Sequence, residues 1–480
     1  MPETIKILFL AAEAEPFIKI GGLGDVSGSL PRAMQKLTEK ETGDLRLDIR
    51  LVLPLHRAIN RTGLQPIGTF AIRRGRTTVK AEIYETHQDG YPVYFIDGEP
   101  IQSSGAVYSA DAKLDGEKYV FFSMAALELP KLIQWTPDII HAHDWHTALA
   151  VYASKILTGD EQSERTARVI TIHNLVYIGP EVDDFLTRYG IKKTTTNLPA
   201  WAEHHPLPLG LWSADTITTV SPSYAREMLE PETGGGLRKF FKSREDGMVG
   251  ILNGLDTQSY DPATDAALKT PFDIERIQDR KINKTSLQTQ LGLFPNEDIP
   301  LFGMVSRMDK QKGVDLVLKA MKSMKAQEWQ LVILGTGDPR LERQVVELEK
   351  QLPEKVKILT RFDEAMARRI YGGADCLLMP SRYEPCGLAQ MIAMRYGCVP
   401  LVRATGGLKD TVRHLETGIV FDKPTIKALT EAIRNAVQLY KDKTVWKQFQ
   451  KKAMQQDFSW SNSAMKYFNL YRELYNRKRV

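Results

Sequence analysis

The segment with the clearest chemical potential is 376–407, where one carboxylate, Glu384, lies between two short apolar runs. The runs 376–379 and 399–402 are typical of buried parallel strands, and 388–396 between them has helical spacing. This unit is expected to place Glu384 and a helix N-terminus, which favours phosphate, at the carboxyl edge of a sheet, where open α/β sheets bind ligands. The pattern favours chemistry on a group attached to a phosphate leaving group. A surface glutamate in an ordinary turn is the alternative.

Further candidate residues follow other predicted strands of the same half. Arg307 and Lys312 come after the strand predicted at 301–305, and Phe362 comes after 355–359. Fixed positive charge stabilises a leaving diphosphate without metal, and an aromatic face can stack on a nucleotide base. The sequence contains no Asp-x-Asp pair of the kind that holds a metal-bound diphosphate. A solvated loop is the alternative for the two cations.

The first half offers a glycine-rich run near a lysine. Lys19 and the run 21–25, Gly-Gly-Leu-Gly-Asp, follow a strand predicted at 5–11 and precede a helix predicted at 27–37. A dinucleotide fingerprint requires its glycines directly after the strand, and here a loop intervenes. The run is therefore interpreted as backbone N–H groups that approach a phosphate or sugar. A tight turn with a solvated lysine is the alternative.

Histidines and an aspartate cluster where two other strands are predicted to end. His141, His143, Asp144 and His146 end the strand predicted at 138–143, and His173 ends the next. Because their spacing matches no zinc motif, a polar rim that binds sugar is favoured over a metal site.

Composition limits the class of protein. A length of 480 residues indicates two domains. The net charge of +5 is small, and no basic run interleaved with aromatics indicates nucleic acid. Three cysteines without metal-ligand spacing suit a reducing cytosol, and neither a signal peptide nor a membrane-spanning run is recognised. A cytoplasmic location without membrane or nucleic-acid partners is therefore expected.

The order of predicted elements suggests where the domains divide. Two successions of strands and helices are separated by an unperiodic, Pro- and Asp-rich stretch at 255–275. The amphipathic helix predicted at 463–477 is expected to return to the first half. The predicted domains are 1–255, completed by 458–480, and 256–457.

Several longer motifs together resemble those of bacterial glycogen synthases and plant starch synthases, retaining glucosyltransferases of glycosyltransferase family 5. The similarity runs nearly end to end and is carried by the runs at 19–26, 141–146, 171–175, 220–227, 252–256, 305–313, 381–388, 405–408 and 457–460. It implies a GT-B fold, in which two Rossmann-like α/β domains face a central cleft and a C-terminal helix crosses back to the first. The first domain would serve the acceptor and the second the nucleotide-sugar.

The resemblance also implies an activity and its residues. The reaction would transfer glucose from ADP-glucose, without metal or other cofactor, to the non-reducing 4-OH of an α-1,4-glucan or maltooligosaccharide. Lys19 would lie by the donor diphosphate and sugar, Arg307 and Lys312 would hold the leaving diphosphate, and Glu384 would lie by the transferred glucose. His173 would contact the glucose 6-hydroxyl region, and Asp144 would lie at the acceptor side. The implied donor-binding residues are Gly21, Gly22, Asp25, Asn253, Phe362, Cys386, Gly387, Leu388, Thr405, Gly406 and Gly407.

Other functions stay open at this point. One alternative is a related enzyme that uses UDP-glucose, or a short sugar or sugar phosphate as acceptor. Another is an inactive glucan-binding helper protein. Two departures from the family pattern bear on substrate choice: Ala389, where many relatives carry a hydroxyl residue, and Pro208-Leu209-Gly210, where relatives often carry Lys-x-Gly.

Overall fold

The two successions of strands and helices form two compact units in the computed structural model, which describes residues 3–157 and 164–479. Unit 1 is Met1–Gly254 together with Trp460–Val480, and unit 2 is Leu255–Ser459. The stretch expected to be a linker, 255–275, belongs to unit 2. There the guanidinium of Arg368 donates to the backbone oxygen of Ser259 and to Asp265, so this irregular segment is fixed to a helix.

Unit 1 is built on a nine-stranded sheet in the order β3-β4-β5-β2-β1-β6-β7-β8-β9. From β5 to β9 neighbouring strands are parallel, whereas β3, β4 and β5 are antiparallel. Asp89 and Gly90, both at positive φ, form the predicted β4–β5 turn. The strands are β1 (Glu3–Leu10), β2 (Leu45–Pro54), β3 (Gln65–Arg74), β4 (Thr77–Gln88), β5 (Tyr91–Asp97), β6 (Ile139–His143), β7 (Ala167–Ile172), β8 (Thr216–Thr219) and β9 (Met248–Gly250).

The helices of unit 1 cover the sheet. They are α1 (Gly22–Gln35), α2 (Glu39–Thr42), α3 (Glu99–Ser104), α4 (Ala112–Leu132), α5 (Asp144–Ile156), α6 (Asp183–Arg188), α7 (Pro206–Ser213), α8 (Pro222–Glu227), α9 (Arg238–Ser243) and α18 (Trp460–Arg477). The expected start of α1 at residue 27 was wrong: the helix begins at Gly22, and Ser27 is buried inside it. Glycine lowers helix propensity, so the sequence favours a loop here, but at a first turn that cost is offset by tertiary contacts.

Unit 2 contains a six-stranded, wholly parallel sheet in the order β12-β11-β10-β13-β14-β15. Most residues of its strands are apolar, as expected in a wholly parallel sheet. They are β10 (Leu301–Val305), β11 (Gln330–Leu334), β12 (Val356–Leu359), β13 (Cys376–Met379), β14 (Val399–Arg403) and β15 (Ile419–Phe421). The helices are α10 (Arg280–Gln290), α11 (Val314–Ser323), α12 (Pro339–Gln351), α13 (Glu364–Gly373), α14 (Ala389–Arg395), α15 (Gly406–Thr411), α16 (Ile426–Lys441) and α17 (Lys443–Met454).

The C-terminal helix completes unit 1, as the sequence predicted. Tyr467, Tyr471 and Leu474 of α18 are buried in the same apolar cluster as β1 and β2. The Tyr471 hydroxyl is hydrogen-bonded to Nδ1 of the buried His141 at 2.6 Å. No helix of the described chain is long and apolar enough to cross a membrane.

Removal of the Tyr471 hydroxyl tests how strongly this helix is fixed. We expect Tyr471→Phe to lower the free energy of unfolding by about 1–3 kcal/mol, because it leaves a buried ring nitrogen of His141 unpaired. Tyr475→Phe is the matched control. Its hydroxyl donates to Glu3, whose side chain is about half exposed, so a smaller loss is expected. Denaturant unfolding of both variants makes the comparison, and equal losses would contradict the assigned contact.

Candidate active site

The strand order of unit 2 explains why distant residues meet. β10, β13 and β14 are adjacent and parallel, so their carboxyl ends lie along one edge of the sheet. Lys312 lies in the loop after β10, Glu384 in the loop after β13, and Thr405 in the loop after β14. The sheet therefore brings together three segments that the sequence places up to 93 residues apart, from 312 to 405.

Glu384 is a buried carboxylate held by two side chains. Its residue is 4% exposed, and the Lys312 ammonium lies 2.9 Å from Oε1 and 2.6 Å from Oε2. The Ser381 hydroxyl donates to Oε2 at 2.9 Å. A buried carboxylate keeps its charge only when it is paired and hydrogen-bonded, and both conditions are met here. The bland alternative, a surface glutamate in an ordinary turn, is wrong.

Gly406 and Gly407 pack directly on the backbone of the Glu384 loop. The N–H of Gly407 donates to the Glu384 carbonyl at 3.1 Å. A methyl group at Gly406, whose φ is +43°, would lie 2.0 Å from that same oxygen, and one at Gly407 would lie 2.1 Å from the Cys386 oxygen. These glycines are thus explained by close backbone approach, whatever ligand they also contact.

The other candidates of unit 2 differ in their exposure. The Arg307 guanidinium is 57% exposed and contacts Asp309 at 3.3 Å and Gln311 at 3.2 Å. Phe362 is 90% exposed, which leaves its ring face open. Cys386 is buried, whereas Gly387, Leu388 and Ala389 are partly exposed. Next to them, the amide of Gln390 donates to the backbone oxygens of Cys386 and Gly387 and so fixes this turn.

Gly406→Ala tests whether the glycine contact positions Glu384. The added methyl group would displace the Glu384 backbone, so we expect roughly a 10²-fold loss of kcat for the transfer reaction that the sequence resemblance implies. The backbone strain should also cost about 1–3 kcal/mol of stability. Gly247→Ala is the control, because its methyl group would lie 3.7 Å from the nearest backbone atom. A Gly406→Ala enzyme with wild-type kcat would contradict the argument.

In unit 1 a buried glutamate that the sequence did not single out organises the glycine run. Glu13 is 1% exposed, and its carboxylate accepts the N–H groups of Ile20 and Gly21 and the Tyr108 hydroxyl. Burial raises the pKa of Glu13, and these hydrogen bonds oppose the rise. The interaction holds the start of α1 on the loop after β1.

Lys19 is paired with Asp25 across the same loop. Its ammonium lies 2.6 Å from Asp25 Oδ1 and 3.3 Å from Glu15 Oε2. Burial raises the pKa of Asp25 to about 6, although Lys19 opposes this. Gly22 has open space around it, and a methyl group at Gly21 would lie 3.7 Å from the Glu13 carboxylate. The alternative, in which Lys19 is only solvated, is therefore wrong.

Asp144 and His173 lie at the ends of the adjacent strands β6 and β7. Asp144 begins α5 with a positive φ of 54°, and its Oδ1 accepts the His173 N–H at 2.7 Å. Burial raises the pKa of Asp144 to about 7, while hydrogen bonds from the His173 and Asn174 backbone oppose the rise. Asp144 therefore positions the loop that carries His173.

The polar rim expected from His141, His143 and His146 was wrong, because all three side chains are buried. His173 is partly exposed, and its Nε2 lies 2.9 Å from Nδ1 of His143. Within the described chain, Nδ1 of His173 has no hydrogen-bond partner, so this nitrogen is available to a ligand. His143 contacts His173 from within the core, and His141 and His146 are buried as well.

Two further observations concern ligands. The Oδ1 atom of Asn253 is buried without a hydrogen-bond partner in the part of the chain that the structure describes. Within residues 3–157 and 164–479, no group of three or more His, Cys, Asp or Glu side chains is placed to hold a metal ion.

The pKa of Asp144 gives a pH-dependent stability. Because the folded-state pKa is raised, the native state binds the extra proton, and stability falls as the pH rises from about 4 to about 7. We expect the melting temperature of Asp144→Asn, relative to wild type, to increase over this interval. Asp183→Asn is the control of opposite sign. Although burial opposes the shift, hydrogen bonds from Lys193 and His204 lower the pKa of Asp183, so its loss should destabilise the protein above pH 4. If the melting temperatures of both variants, relative to wild type, changed with pH in the same direction, the opposite pKa shifts given to Asp144 and Asp183 would be contradicted.

Two family models match most of the chain. One, described as starch synthase catalytic domain, matches residues 6–243, and the other, described as glycosyl transferases group 1, matches residues 291–453.

Relatives match along the full length. The glycogen synthase of Geotalea daltonii is 38% identical over 496 residues, which cover 99% of this chain and 100% of the relative. The glycogen synthase of Thermotoga maritima is 36% identical over 489 residues, 98% and 99% of the two chains.

Solved structures agree with this relationship. The catalytic domain of starch synthase IV from Arabidopsis thaliana, bound to ADP and acarbose, is 31% identical with a TM-score of 0.87, and 99% of each chain is covered. A sucrose-phosphate synthase from Thermosynechococcus elongatus, 19% identical with a TM-score of 0.63 over 98% of this chain and 100% of that one, shows the fold alone.

Proposed function

The chain belongs to the glycogen and starch synthase family of glycosyltransferases, and we propose that it transfers glucose from ADP-glucose to the non-reducing 4-hydroxyl of an α-1,4-glucan. The family, the glycosyltransferase activity and the two-unit α/β fold predicted from the sequence are confirmed. The donor, the acceptor and the residue roles are the proposal.

The observation that carries the proposal is the Lys312–Glu384–Ser381 cluster at the carboxyl edge of the unit 2 sheet. An ammonium group has three N–H donors, and Lys312 directs two contacts to Glu384. The third donor is then available to a phosphate oxygen of the donor substrate. Arg307, with its exposed guanidinium, would add the fixed charge that a leaving diphosphate needs. No metal or other cofactor is included in the proposed reaction.

We propose a front-face route for retention of configuration. The bond between glucose C1 and the diphosphate oxygen breaks, the acceptor 4-hydroxyl bonds to C1 on the same face, and its proton passes to the leaving diphosphate. A double displacement would instead need a free carboxylate nucleophile and a separate acid/base about 5 Å away. Glu384 is poorly suited to nucleophilic attack, because Lys312 and Ser381 engage its oxygens. As a buried anion it is suited to stabilising developing positive charge on glucose.

The roles of unit 1 residues stay predictions supported by the family resemblance. Lys19 would contact the donor, His173 the 6-hydroxyl region of glucose, and Asp144 the acceptor side. The open Nδ1 of His173 supports the second of these roles. The proposed location is the cytoplasm, since no disulfide joins Cys376, Cys386 and Cys398 within the described residues, as a reducing compartment allows.

A donor and acceptor matrix tests the proposed substrates. The protein is incubated with ADP-glucose or UDP-glucose, each with glycogen, maltotriose or no acceptor, and released nucleotide and product length are measured. We expect ADP release with elongation of glycogen or maltotriose. Faster UDP release would support the UDP-glucose alternative, and the absence of transfer with every pair would support the inactive glucan-binding helper.

Glu384→Gln tests the assigned carboxylate. Loss of the negative charge beside glucose should lower kcat by roughly 10²–10³-fold, as for removal of one electrostatic contact to a transition state. Glu364→Gln, which changes an exposed carboxylate of the same unit, is the control and should keep wild-type kcat. Thermal unfolding checks that both variants fold. An unimpaired Glu384→Gln enzyme would refute the role, and a trapped glucosyl adduct on Glu384 would refute the front-face route.

A further inference from the structure

A second ion pair joins the two segments that carry Lys312 and Glu384. The guanidinium of Arg382, two residues before Glu384, donates to Oδ1 and to Oδ2 of Asp315, each at 2.8 Å. Asp315 lies in the first turn of α11, three residues after Lys312. An arginine that contacts both oxygens of a carboxylate fixes orientation as well as distance, because its guanidinium is a rigid, planar fork.

Backbone contacts extend this connection to the neighbouring residues. Nη1 of Arg382 also donates to the Lys310 carbonyl oxygen at 2.6 Å, and the Arg382 backbone N–H donates to the Gln311 carbonyl oxygen at 2.7 Å. A methyl group at Gly313, whose φ is +73°, would lie 2.4 Å from the Pro380 carbonyl oxygen. The loops after β10 and β13 therefore lie against each other, and Arg382 holds them together by both side-chain and backbone bonds.

The end of β14 supports the same backbone. Arg403 ends β14, which lies on the opposite side of β13 from β10 in the sheet. Its guanidinium donates to the Ser381 carbonyl oxygen at 2.6 Å and to the Arg382 carbonyl oxygen. Ser381 is also the residue whose hydroxyl donates to Glu384. Two arginines thus connect the backbone beside Glu384 to the ends of both neighbouring strands.

The bond between Lys312 and Glu384 cannot fix their separation by itself. A lysine ammonium is a point charge on a flexible stem, and its three donors rotate. In the proposed reaction the same ammonium also faces the leaving diphosphate, whose negative charge grows as the bond to glucose breaks. That charge attracts Lys312 away from Glu384. Neither Arg382 nor Asp315 has an assigned substrate contact, so their bond is a separate constraint on the two loops.

We propose that Arg382 and Asp315 are a positioning pair, which keeps Glu384 and Lys312 at the separation that the transfer step requires. This inference rests on the proposed function of Glu384 and Lys312. Hydrogen bonds from Arg382 lower the pKa of Asp315, although burial opposes this, so Asp315 is charged at neutral pH. The two side chains are 34% and 24% exposed, and removal of one partner of such a pair costs little stability. The pair is therefore expected to affect catalysis more than folding.

Steady-state kinetics of Arg382→Gln and Asp315→Ala tests the pair. Because a displacement of about 1 Å can cost 10²-fold in rate, we expect each variant to lower kcat by roughly 10–10²-fold. KM for ADP-glucose should stay within about threefold, since the lost effect acts on the transition state and not on donor binding. The double variant should lose no more than Arg382→Gln alone, because the two side chains act as a unit. A raised KM with unchanged kcat, or losses that multiply in the double variant, would overturn the proposal.

Arg395→Gln is the matched control. Arg395 is 33% exposed, belongs to the same unit and forms a 3.3 Å ion pair with Asp261, so the substitution removes a comparable contact outside both loops. It should keep wild-type kcat, and its melting temperature should shift as little as that of Arg382→Gln. An equal loss of kcat in the two variants would contradict a specific role for Arg382.

Hydrogen–deuterium exchange follows the two loops without any substrate. Peptides that cover 310–315 and 380–387 should exchange faster in Arg382→Gln than in wild type or Arg395→Gln, because the bond between the Arg382 N–H and Gln311 opens more often. Unchanged exchange in both segments would overturn the positioning pair. Because no sugar nucleotide is present, this measurement separates failure of the positioning pair from failure of the proposed transfer reaction.

Discussion

The ion pair between the partly buried Lys312 and the buried Glu384 is the constraint on which the candidate site of unit 2 depends. A carboxylate removed from water needs a cation and hydrogen bonds in fixed positions, because the interaction must offset the cost of desolvation. The parallel sheet supplies those positions by bringing the ends of β10 and β13 together. The glycines after β14 then allow a third loop to approach the same backbone. The strand order, the two glycines and the ion pair thus act together to hold three loops at one edge of the sheet.

Unit 1 also holds its loops with buried carboxyl groups, but these accept backbone N–H groups instead of pairing with a lysine. There Glu13 accepts backbone N–H groups from the glycine run, and Asp144 accepts them from the His173 loop. In both cases a buried acidic side chain is used to hold a loop rather than to pair with a cation. Burial raises the pKa values of both Glu13 and Asp144, so the charged form of each carboxyl group is disfavoured. The two units therefore place their candidate residues at strand ends by different electrostatic means.

The sequence predicted what depends on local pattern. The bounds of β10, β11 and β13 match their apolar runs, and the meeting of Lys312 with Glu384 follows from the order of parallel strands. Glu13 could not be found in this way, because its burial depends on Tyr108, 95 residues away, and a loop glutamate alone is typical of a solvated residue. His141 was misplaced on a rim because the helix that covers it lies 330 residues further along the chain. Long-range burial of polar side chains leaves no periodic signal.

The return of α18 to unit 1 has a consequence for how the protein is made. Ribosomes release chains from the N-terminus, and domains generally fold in that order. Unit 1, however, lacks Tyr467, Tyr471 and Leu474 of its core until α18 is translated, after all of unit 2. The chain of unit 2 is therefore complete before that of unit 1, which allows unit 2 to fold first. Any premature stop after unit 2 would leave a folded second half attached to a first half with an open apolar face, a product suited to recognition by chaperones and proteases.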